Sequence, residues 1–142
     1  MRKFFKWLIV TIIGIQALII IVGIVIFRMP LPDHEIDVTG LPLTDFVEII
    51  RDERGIPHIY GTNVDDILFA QGYVHAQDRF WQLEFWSHLS TGRLASLIGE
   101  PGVGADLLFR TFGFHKIALE EYENLEPKFK QDLINYTNGV NA

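Results

Sequence analysis

The stretch Phe69–Trp86 reads FAQGYVHAQDRFWQLEFW. It has no Pro and a single Gly, Gly72, so it predicts a helix. It mixes Phe, Tyr and Trp with three Gln, a His, an Asp, an Arg and a Glu. An ordinary surface helix keeps its polar residues on one face. Turned at about 100° per residue, Gln71, His75, Asp78 and Gln82 form one polar stripe. Gln77, Glu84 and His88 form a second one. Val74 and Trp81 lie between the stripes on one side, Ala76 and Leu83 on the other. Phe85, Trp86 and Leu89 share the first stripe's sector, so no side looks made for solvent. Such a helix is expected to be interior, with its polar groups paired, because an unpaired buried polar group costs about 1–3 kcal/mol. Gly72 costs about 1 kcal/mol relative to Ala in a helix. A second backbone packing closely there would offset that.

Outward from this helix, Asn63 is a capping residue, with Asp65 and Asp66 favourable in the first turn. The helix is expected from about Val64 to about Ser90, broken by Thr91-Gly92. "RLASLIG" predicts a short helix closed by Gly99, with Pro101 beyond. "EPGVGA" reads as a loop, and Asp106 to about Glu123 as one helix weakened by Gly113. A last helix opens with Pro127 at its first position and runs to Ala142, with Gly139 a late interruption. Upstream, "FVEIIRD" and "IPHIY" predict two short strands around the turn "ERG". Pro57 lacks a ladder donor, so its strand lies at an edge or begins there. Arg51 and Asp52 are expected to pair across this hairpin. The fold class is therefore α+β, a short hairpin followed mainly by helices. Residues 45–142 are too few to enclose the central helix on every side. They are expected to be part of a longer protein, and to expose Trp81, Phe85 and Trp86 when standing alone.

The first residues differ in kind. Trp7–Phe27 carries no charge and, beyond the Trp7 indole, only Thr11 and Gln16 as polar side chains. At about 1.5 Å per residue it spans roughly 30 Å, the thickness of a bilayer core. Arg2, Lys3 and Lys6 precede it, which places the N-terminus in the cytoplasm and the bulk of the chain outside. A cleaved signal peptide is the alternative. Its apolar core is about 7–15 residues and ends in small residues, whereas "IVIFRMP" offers no such site. The expected organisation is a basic tail at 1–6, a membrane-spanning signal-anchor at 7–27 and a Pro-rich linker at 28–44. The extracytoplasmic domain follows from 45. From residue 29 onward eight basic residues face eighteen acidic ones, a balance of −10. That speaks against nucleic-acid binding.

The chain has no Cys, which excludes disulfides, Cys-ligated zinc, a Cys nucleophile and a Cys-linked lipid. Asp33, His34 and Glu35 have ligand chemistry, but a solvated linker is the preferred reading. His75 with Asp78, and Glu84 with His88, have spacings that place two ligands on one metal. No third ligand or HExxH pattern accompanies them. Structural pairing of His75 and Asp78 with buried groups is preferred. Ser87, Ser90 and Ser96 are the only serines, and no GxSxG elbow surrounds any of them. Asp78 and Glu84 point in different directions, about 120° apart around the helix, which does not suit a glycosidase pair. "GEPGVG" lacks the Lys and Ser/Thr of a phosphate loop. Composition and spacing alone assign no catalytic, cofactor-binding or metal residue.

Three motifs, "VEIIRDERGIPHIYG", "DILFAQGYVHAQDRFWQLEFW" and "TGRLASLIGE", occur in that order. With "INYTNGVNA" they resemble the start of the penicillin acylase (penicillin amidase) family, from about Val47 to Ala142. The resemblance implies an αββα N-terminal-nucleophile hydrolase. In that family a precursor cuts itself into two chains, and the new N-terminal Ser of the β chain attacks an amide carbonyl. Its own α-amine acts as base, and backbone N–H groups with an Asn amide stabilise the oxyanion. Substrates across the family are acyl amides, including penicillins and acyl-homoserine lactones. The nucleophile, the pocket and the usual calcium ligands would all lie beyond Ala142. The partners implied are the rest of the α chain, a β chain, the bilayer and an acyl-amide substrate. A membrane-anchored binding or scaffold protein that kept this start but lost the chemistry is the second reading.

Overall fold

The computed structural model describes residues 2–28 and 37–142, which form two separate units. The readings of 29–36 as linker, and of Asp33, His34 and Glu35, fall outside the described residues. The first unit is helix α1 (Arg2–Arg28). Its stretch Ile9–Arg28 is long and apolar enough to cross a membrane, and its side chains lie open around the helix. By length and composition it is compatible with a signal anchor or a signal peptide.

The second unit begins with an antiparallel hairpin, β1 (Glu48–Arg51) and β2 (Pro57–Tyr60), in the register Ile49 opposite Ile59 and Arg51 opposite Pro57. Pro57 starts its strand, as the missing donor requires. Asp52 shapes the turn. Its Oδ1 accepts from the N–H groups of Arg54 and Ile56, both at 2.9 Å, and Gly55 supplies the positive φ of 77°. Ile49, Arg51, Pro57 and Ile59 form the less exposed face of the ribbon.

Helix α2 (Val64–Ser90) keeps the expected bounds. Asn63 caps it, its side chain accepting from the Asp66 N–H at 2.8 Å. The helix is not straight, because Arg79 leaves helical geometry with φ −138° and ψ 25°. Neither Pro nor Gly stands there, so nothing local in the sequence marks this kink. α3 (Ala95–Ile98) and Gly99 follow as expected. The "EPGVGA" loop is instead a 3-10 turn over Glu100–Gly102 running into α4 (Val103–Phe112). The single helix expected from Asp106 is two, since Gly113 at φ 71° ends α4 and α5 (Phe114–Asn124) starts anew. α6 (Pro127–Val140) opens at Pro127 and closes at Val140 rather than Ala142.

The core is small: Phe69, Ala70, Val74 and Leu94. It centres on α2 crossing α6, and two glycines make the crossing possible. A Cβ on Gly72 would strike the Tyr136 carbonyl oxygen, and one on Gly139 would strike the Phe69 carbonyl oxygen. Gly72 thus has the close backbone neighbour its position implied. Gly139, read as an interruption, is the other half of the same contact. Beyond the kink α2 is open: Trp81 is 62% and Trp86 56% exposed, as expected. Phe85 departs from expectation. It is half-buried and lies edge-on to Trp86 at 5.8 Å, while Phe80 is exposed in its place.

Candidate functional site

Arg51 points from the inner face of the hairpin to α2. Its two terminal nitrogens donate to the two Asp78 oxygens at 2.9 and 2.8 Å. One also donates to the Gln77 Oε1 at 2.8 Å and the other to the Gly55 carbonyl at 3.1 Å. This is the planar fork-to-carboxylate match that makes an Arg–Asp bond strong and directional. The side chains are only 17% and 26% exposed. The expected Arg51–Asp52 pairing is therefore corrected. Asp52 is occupied by its own turn, and Arg51, alternating to the inner face, reaches across to α2. Hydrogen bonds from Ile56 and Arg54 N–H, with His58 nearby, hold the Asp52 carboxyl below its ordinary value against the opposing effect of burial.

His75, one turn earlier on α2, turns to α6 instead. Its Nδ1 lies 2.9 Å from the Tyr136 hydroxyl, with the rings edge-on. The i, i+3 pair His75 and Asp78 thus serves two different neighbours rather than one shared ligand. Both are structural partners; His75 is half-buried, whereas Asp78 is an exposed residue whose side chain is only partly covered. Glu84 and His88 do meet, Oε2 to Nδ1 at 3.2 Å, and Nδ1 is also 2.9 Å from the Glu84 carbonyl. Among the described residues no three His, Asp or Glu side chains come together in a way that could hold a metal ion. The Ser90 and Ser96 hydroxyls donate to the carbonyls of Ser87 and Arg93, at 3.2 and 2.7 Å.

Two carboxylates matter more than their sequence context indicated. Asp66, 3% exposed, accepts from the Thr44 N–H at 3.0 Å, the Asp45 N–H at 2.8 Å and the Asn63 amide at 2.6 Å. Asp106, on α4, accepts from the N–H groups of Leu94 and Ala95, at 2.5 and 3.0 Å, at the start of α3. Each chelates two consecutive backbone N–H groups of a distant segment. An Asp in a helical first turn is so ordinary that only the tertiary partner reveals this. Taken together, the polar side chains of α2 and α4 hold backbone and other side chains in place.

The Asp66 bonds predict a pH dependence. Thr44 N–H foremost, then the Asn63 amide and the Asp45 N–H, hold the Asp66 carboxyl below its ordinary 3.8, against desolvation. A depressed folded value means stability that is present above the ordinary carboxylate range. It is lost as pH falls through the lowered value. Thermal unfolding followed from pH 7 down is expected to show this acid loss. Asp66→Asn should be less stable at neutral pH and show a smaller acid loss. An unchanged acid profile in the variant would show that Asp66 is not the group responsible.

Comparison with known proteins places this arrangement. The family model described as penicillin amidase matches residues 46–142. Over 96 residues the chain is 40% identical to penicillin acylase 2 proenzyme from a Pseudomonas species, covering 68% of this chain and 12% of that protein. Over 100 residues it is 37% identical to acyl-homoserine lactone acylase QuiP from Pseudomonas aeruginosa, covering 70% and 12%. The chain thus spans about an eighth of the length of these relatives. The fold matches that of a thermostable penicillin G acylase from Alcaligenes faecalis with a TM-score of 0.61. Identity there is 24%, over 68% of this chain and 51% of that one.

Proposed function

The chain belongs to the penicillin amidase family, and on that premise we propose that it is the N-terminal part of a membrane-anchored, extracytoplasmic amide hydrolase. Its relatives are acylases, and the substrate class we assign is an acyl amide of the penicillin or acyl-homoserine lactone kind. The observation that carries this reading is the penicillin amidase match over residues 46–142, together with relatives that are acylases. In the complete protein, of αββα architecture, an N-terminal Ser of a β chain would attack the amide carbonyl. Its α-amine would take the proton, and donors fixed around the oxyanion would lower the barrier. The residues of this chain would position that machinery rather than touch the substrate. The calcium that family members often bind would be held by residues beyond Ala142.

Anchoring is supported by the apolar α1 and by Arg2, Lys3 and Lys6 before it. The test has two parts. The gene product carrying this chain is expected to hydrolyse a chromogenic phenylacetyl amide or a long-chain acyl amide. That activity should vanish when the β-chain Ser is replaced. Turnover surviving that replacement would overturn the mechanism, and no turnover on either class would favour a binding or scaffold role. Mass spectrometry of the mature N-terminus is expected to find α1 retained; its loss would replace the anchor by a cleaved signal.

A further inference from the structure

Within the apolar part of α1 two aliphatic-chain polar groups behave differently. The Thr11 hydroxyl donates to the Trp7 carbonyl at 3.1 Å, so the helix itself satisfies it. The Gln16 carboxamide is exposed on the helix surface and makes no hydrogen bond among the described residues. It carries two donors and an acceptor. It stands within one turn of the middle of Ile9–Arg28, about 10 Å along the axis from Ile9. Its two methylenes do not span that distance to water. A bilayer core offers no partner, so an unpaired amide there is strongly disfavoured.

We propose that α1 pairs in the membrane with α1 of a second copy of this chain, Gln16 against Gln16. This rests on the membrane anchor proposed above. A carboxamide both donates and accepts, so it is self-complementary about a two-fold axis, where residue i meets residue i. A second copy is also the one partner certain to bring such a group to the same depth. The uncharged span leaves no ion pair to compete. Gly23 lies seven residues on, about 20° away around the helix, with open space where a Cβ would stand. A small residue on the same face lets the two backbones approach.

The chain has no Cys, so single-Cys variants of the full protein report on contact cleanly. Ile20 lies about 40° from Gln16 around the helix and Leu18 about 160° away. Under copper-catalysed oxidation in native membranes, Ile20→Cys is expected to give disulfide-linked dimers and Leu18→Cys few. Adding Gln16→Leu to Ile20→Cys should weaken association roughly three- to thirty-fold. Gln16→Asn should restore part of it. Equal cross-linking on both faces, or no response to Gln16→Leu, would overturn the pairing. Alkaline carbonate extraction separates the two ideas. Protein that stays in the membrane pellet without a preferred face overturns only the pairing. A mature protein lacking α1 overturns the anchor and the pairing together.

Discussion

Gly139→Ala and Gly72→Ala are each expected to destabilise the protein by about 2–4 kcal/mol, by overpacking a contact that has no slack. Helix propensity alone predicts the reverse, a gain of about 1 kcal/mol for Ala over Gly. The sign is therefore diagnostic. At either position the added carbon meets a backbone carbonyl of the facing helix, Tyr136 for Gly72 and Phe69 for Gly139. Backbone does not rotate aside as a side chain does, so α2 and α6 must separate. Gly104, helical in α4 with open space where its Cβ would lie, is the control. Gly104→Ala should be neutral or slightly stabilising. Urea unfolding of the gene product carrying this chain reads all three. A gain in stability at Gly72 or Gly139 would mean that the two helices do not approach as closely as described.

How much of this was legible beforehand varies with the range of the cause. The bounds of α2, the Asn63 cap, the start of β2 at Pro57 and of α6 at Pro127 follow from local chemistry, and all are found. Gly72 was legible as a close-approach site because a helix-interior Gly is costly. Its partner Gly139 was not, because near a helix end Gly is commonplace. The kink at Arg79 has no local cause in the sequence. It follows Asp78, whose partner Arg51 is 27 residues away. The role of Asp106 is hidden in the same way, by a partner in a different helix. "EPGVGA" was misread because two Gly suggest a loop. One of them, Gly102, is buried where a Cβ would meet Ala95, and so is a packing residue.

Breaking the Arg51 clasp is the second large effect. Arg51→Met or Asp78→Leu should each cost about 2–3 kcal/mol. Losing one partner of a fully buried pair costs about 3–5, and both side chains here keep some exposure that screens the charge left behind. The double variant Arg51→Met with Asp78→Leu should lose clearly less than the two singles added together. It leaves neither charge stranded and returns apolar contact. A double-mutant cycle in urea measures the coupling, expected at about 1–2 kcal/mol. Strictly additive losses would mean that the fork contributes nothing beyond its separate groups. Hydrogen exchange around Arg79 should rise in both singles, since the clasp ends one residue before the kink.

The Asp66 bonds to Thr44 and Asp45 also decide where a mechanical load would travel. A pull along residues 38–43 reaches Thr44 and passes through two parallel hydrogen bonds into the first turn of α2. The hairpin, although next in the chain, is bypassed: residues 46–62 lie behind the junction, outside the path of the load. Tension would spare the β1–β2 ladder and be borne by a carboxylate, so acid would weaken this attachment.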